Sequence, residues 1–168
     1  MSQADFEQVY QDHVDLVFNL SLHYCGSTED AEEITQDVFV TIYQKMDGFR
    51  EESSLKTWIT RITINRSLDL LRKRKRQSWL RPFSTATPTA VEFNHPGVQL
   101  EHQEQVNRVF QHIHALPERQ KTALILMKLE HKSMAEIAEI MDLSPKAIES
   151  LISRAKENLS KKIARTEG

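Results

Sequence analysis

Glycine is scarce in this 168-residue chain: there are four, too few for a fold rich in tight turns, and the shortage argues for helices. Cysteine is scarcer. Cys25 stands alone, so no intramolecular disulfide can form, which suits a reducing cytoplasm. No run approaches the roughly 20 apolar residues that span a bilayer. Gln3, Asp5 and Glu7 stand where a secretory signal would carry basic and then apolar residues. The expectation is a cytoplasmic protein without membrane insertion. Catalytic constellations are also wanting: there is no nucleophile–base pair, no phosphate-cradling glycine loop and no paired carboxylates at a defined spacing. Seven histidines invite a metal reading. His112 and His114, however, are two apart on a helical stretch and point in different directions, and His13, His23 and Cys25 have no metal-site spacing. The chain reads as a non-enzyme with neither metal nor cofactor.

Charge is plentiful, and its placement is the informative feature. Residues 56–76 hold eight bases (Lys56, Arg61, Arg66, Arg72, Lys73, Arg74, Lys75, Arg76) against one acid, Asp69. Residues 1–55 reverse this, with twelve acids against Lys45 and Arg50. A net charge of −2 therefore conceals a strongly basic segment behind a strongly acidic one, as a polyanion-binding protein would. A solvated helix face with a frayed basic end would give the same count.

Helical periodicity dominates the chain. Phe6, Val9, Tyr10, Leu16, Val17 and Leu20 recur at three- and four-residue steps. A second helix, about 29–46, places Ile34, Val38, Ile42 and Met46 on one face, with Glu29, Asp30, Glu32 and Glu33 near the positive end of its dipole. A polar loop, 49–54, leads to a third helix, about 55–76, whose inner face would use Trp58, Ile59, Ile62 and Leu68 or Leu71. The pattern then fails over 77–97, where Pro82, Pro88 and Pro96 interrupt a Thr/Ala/Ser-rich stretch; this reads as an extended linker. Helical patterning resumes near Val98, with Leu100, Val106, Val109, Phe110 and Ile113 in one stripe. Pro117 suits the first turn of a helix over about 118–129. The expected architecture is all-α: an N-terminal helical bundle (1–76), a linker (77–97) and a C-terminal four-helix domain (98–168).

The clearest local motif lies in the C-terminal part. Ser133-Met134-Ala135-Glu136 is a capping box opening a helix that would bury Ile137, Ala138 and Met141. Asp142-Leu143-Ser144 is a short turn; Ser144 can cap the next helix and Pro145 fits its first position. Two helices joined in this way match a helix-turn-helix. On the second, Ile148, Leu151, Ile152, Ala155 and Leu159 share the inner side, while Lys146, Ser150, Ser153 and Glu157 lie opposite, flanked by Glu149 and Arg154. Such a polar arc can enter a major groove, with Arg and Ser donating to phosphates or bases and Glu149 accepting from a cytosine amino group. A plain helical hairpin with a solvated face is the alternative.

Taken together, the chain resembles bacterial RNA polymerase sigma factors of the extracytoplasmic-function (ECF) class of the sigma-70 family. The N-terminal match is Asp30-Ala31-Glu32-Glu33-Ile34-Thr35-Gln36-Asp37-Val38-Phe39, then Phe49-Arg50, Ser53-Ser54-Leu55-Lys56-Thr57-Trp58-Ile59, Arg61-Ile62, Asn65, Asp69 and the basic run. The C-terminal match is Leu116-Pro117-Glu118-Arg119-Gln120, Glu136-Ile137-Ala138-Glu139-Ile140-Met141, Ile148-Glu149-Ser150 and Ser153-Arg154-Ala155. Two motif sets in order over nearly the whole chain make the resemblance specific.

The resemblance implies a factor that recruits core RNA polymerase, through its β′ coiled coil and β subunit, to promoter DNA. It implies polymerase binding by Glu33, Gln36, Asp37 and Gln44. The melted minus-10 strand would be held by Phe49, Arg50, Lys56, Arg61, Asn65, Arg72, Arg74 and Arg76, with a flipped base in the 49–54 loop. Trp58 would be core. The minus-35 duplex would be read by Lys146, Glu149, Ser150, Ser153 and Arg154, and the linker would thread past the polymerase active-site channel. An anti-sigma factor is the implied regulatory partner. Glu51 replaces a frequent glycine, Leu151 a frequent arginine, and Glu149 brings negative charge where many relatives are basic. A free-standing helix-turn-helix regulator and a helical protein-binding adaptor remain alternatives on the residues alone.

Overall fold

The computed structural model describes residues 3–50, 52–80 and 103–166. Glu51, Leu100, Val98 and most of the expected linker lie outside these. Every regular element among the described residues is helical, and the chain divides into two compact units, Met1–Glu92 and Phe93–Gly168.

In the first unit α1 (Gln3–Cys25), α2 (Thr28–Lys45) and α3 (Leu55–Leu80) pack mutually. The α1–α2 corner is built for abruptness. Gly26 takes the left-handed φ of 68°, its N–H returning to Leu22 O at 2.8 Å, and Ser27 caps α2 by accepting from the Asp30 N–H at 3.4 Å. The left-handed conformation after a helix end is one that glycine adopts without a Cβ penalty. Val17, Leu22, Ala31, Ile34, Val38, Phe39, Ile42 and Ile59 form the core with Cys25. Tyr10, read as part of the apolar stripe, is 42% exposed and reaches the core edge by packing on Phe39, centroids 4.6 Å apart.

α3 departs from the sequence reading in two ways. It runs to Leu80, so residues 77–80, assigned to the linker, are helical. Its inner face is also largely hydroxyl: Thr57, Thr60, Thr63 and Ser67 are buried beside Ile59, Ile64 and Leu68, whereas Trp58, Ile62 and Leu71 are only half-buried. The hydroxyls donate to the carbonyl one turn back, Thr60 to Lys56 O at 2.8 Å, Thr63 to Ile59 O at 2.9 Å and Ser67 to Thr63 O at 2.8 Å. Those three hydroxyls are thereby satisfied within the helix, and Thr57 Oγ1 accepts from Ser54 Oγ at 2.9 Å, so short side chains can line the seam against α1 and α2.

The second unit contains α4 (Gln103–His114), α5 (Glu118–Lys128), α6 (Met134–Met141) and α7 (Pro145–Thr166), with α7 packing on the other three. Phe110 and Ile113 face inward on α4, but Val109 is 43% exposed. Pro117 is the N-cap residue of α5 and precedes its first turn. On α6 the buried residues are Ile137, Ala138 and Ile140, and Met141 is only half-buried.

Candidate nucleic-acid interface

The helix-turn-helix is fixed by its local chemistry. The Ser133 N–H donates to Glu136 Oε2 at 2.8 Å, and the Glu136 N–H donates to Ser133 Oγ at 3.3 Å, closing the capping box. Hydrogen bonds from the Ser133 backbone and hydroxyl hold the Glu136 carboxyl below its ordinary pKa, with Lys132 adding to the effect. Asp142 ends α6 in the left-handed region at φ 52°, a conformation Asp tolerates better than most residues. The Leu143 N–H then reaches Ala138 O at 3.0 Å, and Ser144 Oγ accepts from the Ala147 N–H at 3.2 Å, so α7 starts directly after the turn, at Pro145. Ile148, Ile152 and Ala155 are buried on the inner side and Leu151 and Leu159 half-buried. Lys146, Glu149, Ser150, Ser153, Arg154 and Glu157 are all exposed on the other side. The structure thus brings the five candidate minus-35 residues onto one solvent-facing arc.

In the first unit, the entrance to α3 is capped by Ser54, whose Oγ accepts from the Thr57 N–H at 3.1 Å. Phe49, half-buried at the other end of the loop, stacks on Trp58 with centroids 5.1 Å apart and planes tilted 40°. Trp58 also touches the core cluster, so it is both packing residue and support for the loop aromatic. Its position explains this double role. Trp58, Arg61, Asn65, Arg72 and Arg76 succeed one another at steps of three, four, seven and four, which is one stripe of a helix. That stripe runs about 27 Å at the helical rise.

The remaining minus-10 candidates do not all join it. Lys56 and Arg74 each lie nine residues from Asn65, about two and a half turns, and so project from the opposite side of α3. Arg74 is paired with Asp30, a carboxylate 5% exposed in the first turn of α2. Lys56 is exposed, close enough to α1 for its charge to act on His13. The structure thus sets these two apart from the Asn65 stripe, since charge density alone does not carry azimuth. Arg50 and Asn65 are exposed, Arg61 half-buried, and Arg72 pairs with Asp69 at 3.1 Å in an open surface contact.

Glu33, Gln36, Asp37 and Gln44 all lie exposed on α2. Val40, 54% exposed, falls in the same arc, and Tyr43, 61% exposed, stands beside it against Phe6 at 5.3 Å. Sequence reasoning passed over both, although Val40 sits seven residues beyond Glu33 and four before Gln44. Glu33 and Asp37 also line a groove of about 240 Å³ whose other wall includes Arg66, Asp69, Lys73 and Arg76. Arg66 crosses from α3 to α2, donating to Thr41 Oγ1 at 2.9 Å. No cluster of His, Cys, Asp and Glu that could hold a metal occurs among the described residues, and no described helix is long and apolar enough to cross a membrane.

Comparison with known proteins identifies the family. Residues 9–77 match the family described as Sigma-70 region 2, and residues 108–159 match Sigma-70, region 4. The chain is 33% identical over 147 residues to an ECF RNA polymerase sigma-E factor of Haemophilus influenzae, covering 82% of this chain and 76% of that protein. It is 26% identical over 167 residues to ECF RNA polymerase sigma factor SigW of Bacillus subtilis, covering 95% and 88% respectively. Among solved structures, the sigma factor RpoE of Bartonella quintana, crystallised with the anti-sigma factor NepR, superposes with a TM-score of 0.70 at 23% identity, over 95% of this chain and 97% of that one. The two matched regions, their order and the relatives' coverage establish that the chain belongs to the ECF class of the sigma-70 family and acts as an RNA polymerase sigma factor in promoter-directed initiation.

Proposed function

We propose a division of this activity among three surfaces. The exposed arc of α2, with Glu33, Gln36, Asp37 and Gln44 around the apolar Val40, docks on the β′ coiled coil of core polymerase. The Phe49–Trp58 pair and the outward stripe of α3, with Arg50, Arg61, Asn65, Arg72 and Arg76, hold the non-template strand of the melted minus-10 element. The α7 arc of Lys146, Glu149, Ser150, Ser153 and Arg154 reads the minus-35 duplex. Residues 1–76 and 98–168 are the binding domains, while the stretch between them threads past the polymerase active-site channel toward the RNA exit path, and the β subunit is a second polymerase contact. The protein works in the cytoplasm, and an anti-sigma factor holds it inactive by covering one or more of these surfaces.

The observation that carries the reading is the α3 stripe. A single unstacked strand needs an aromatic platform continued by cations and a donor–acceptor side chain, and Phe49, Trp58, Arg61, Asn65, Arg72 and Arg76 supply that sequence of groups in a single line. The α3 residues among them share one face. Asn65 adds an amide able both to donate to and accept from a base edge. The test is run-off transcription with purified core polymerase on a promoter library. The expected result is promoter-specific transcript that Asn65→Ala and Arg154→Ala both reduce. Transcript unchanged by either substitution would overturn the residue assignment, and failure to bind core would overturn the α2 assignment.

A further inference from the structure

The Asp30–Arg74 pair joins residues 44 apart in sequence, and its two halves are unlike. Asp30 is fixed. It lies in the first turn of α2, 5% exposed, three residues after the Ser27 cap and next to the Gly26 corner. Its Oδ1 accepts from Arg74, and its Oδ2 is buried with no hydrogen-bond partner among the described residues. Arg74 belongs to a helix end whose residues 72–77 are all exposed. Ile59, Thr63, Ser67, Leu70 and Arg74 form the inward stripe of α3, at steps of four, four, three and four. The stripe is buried through Ser67, half-buried at Leu70, and at the next inward position presents a guanidinium. The apolar seam therefore ends one turn before the basic run is complete, and the ion pair extends the seam by that turn.

From this we propose that Arg74 is a positioning residue: it fastens the basic end of α3 to the α1–α2 corner, so that Arg72 and Arg76 face outward, and it does not itself contact DNA. The assignment rests on the reading of α3 as the track for a melted strand. Its logic is electrostatic. A guanidinium already neutralised by a buried carboxylate has no counterion to release, so it adds nothing to the salt dependence of binding. Removing it from Asp30 would also strand a buried charge, an outcome folded proteins avoid. Cys25, whose thiol is within electrostatic reach of both Asp30 and Arg74, marks how closely the helix end approaches the corner.

The experiment uses the full chain bound to core polymerase and a forked promoter with a single-stranded minus-10 segment, over a range of salt concentrations. Arg72→Ala should lower the slope of log K against log salt by about 0.7, the value for one phosphate on a single strand. Arg74→Ala should weaken binding severalfold at the wild-type slope, Asp30→Asn should weaken it similarly, and the double variant no further. Arg74→Lys should restore most of the loss. A slope lowered by about 0.7 in Arg74→Ala, or losses that add in the double variant, would overturn the proposal. If Arg72→Ala and Arg76→Ala both leave the slope unchanged, the track reading fails instead. The tether is then judged in the free chain by amide hydrogen exchange over residues 72–77. Faster exchange in Asp30→Asn and Arg74→Ala, reversed in Arg74→Lys, supports it, and unaltered exchange rejects it. Should Asp30→Asn fail to fold, the Arg74→Ala and Arg74→Lys pair decides by the same two readouts.

Discussion

Truncating Trp58 separates the two jobs its position gives it. The ring supports Phe49 at 5.1 Å and also touches the core. An aromatic pair is worth about 0.5–1.5 kcal/mol beyond the area it buries, so losing the support should weaken minus-10 binding roughly two- to tenfold. Removing Phe49 itself, if a base stacks on it, should cost about 1–3 kcal/mol, or roughly five- to hundredfold. Because Trp58 acts through Phe49, the double variant should lose little more than Phe49→Ala alone, a coupling of at least about 0.5 kcal/mol. Trp58→Phe keeps a ring under the loop and should retain most of the affinity. The assay is equilibrium binding of holoenzyme to forked promoters with an intact or an abasic minus-10 strand, beside denaturant unfolding of the free chain to register any loss of core packing. Additive losses within about 0.3 kcal/mol, or equal losses on intact and abasic strands, would refute the argument.

Arg154→Ala should weaken minus-35 duplex binding, and Glu149→Gln should shift preference at one base pair by about 1–3 kcal/mol if Glu149 reads a base; a promoter-library selection with unchanged preference would leave it a solvated residue. Ser133→Ala removes the acceptor of the α6 capping box and should lower unfolding free energy by about 1 kcal/mol, measured by urea titration of the C-terminal unit's signal. Burial pushes the Cys25 thiol up to about 11, against 9.0 for the free group, with a Ser27 backbone hydrogen bond opposing. The fold therefore favours the neutral thiol: this contribution is full below pH 9 and is lost as pH rises toward 11. Cys25→Ala should flatten that part of the alkaline stability profile, and native chain should resist thiol alkylation until it unfolds.

Much of this molecule was legible because its signals were local. The capping box, the Ser144-Pro145 start and the α7 arc are short-range chemistry, and all three stand in the structure as read. The identity of α3 was legible too, but its facing was not. A search for apolar residues places Trp58 and Ile62 fully inside; they reach only the edge of the core, and Thr60, Thr63 and Ser67 are buried in the seam beside Ile59 and Leu68. Their hydroxyls are satisfied by their own helix, and nothing in a hydropathy pattern reveals that. Asp30 shows the same limit. Its position in the first turn of α2 suggested an interaction with the helix dipole, and its actual partner is 44 residues away. The outward position of Val40 follows from spacing to Glu33 and Gln44, but an apolar residue among acids is easily assigned inward.

Those pairings also change what the basic run can offer a strand. Counting Arg50 with residues 56–76 gives nine cations, which at about 0.7 per phosphate would yield a single-strand salt slope near 6. Arg74 is held by a buried carboxylate, Arg66 is turned to Thr41, Lys56 projects from the far side of the helix, and Lys73 and Lys75 each sit about 100° round the helix from their stripe neighbours Arg72 and Arg76. Arg72 differs, because both partners of its Asp69 contact are more than half exposed, and such a pair is worth about 0–1 kcal/mol and yields readily to a phosphate. The cations on the outward path are then Arg50, Arg61, Arg72 and Arg76, and the minus-10 contribution should be a slope near 3. The measurement is the difference in salt slope between forked promoters with and without the single-stranded segment. A value near 6 would mean that the ion pairs open on binding and that the run acts as an undirected basic patch. A value near 3 means that α3 presents its charge from one face.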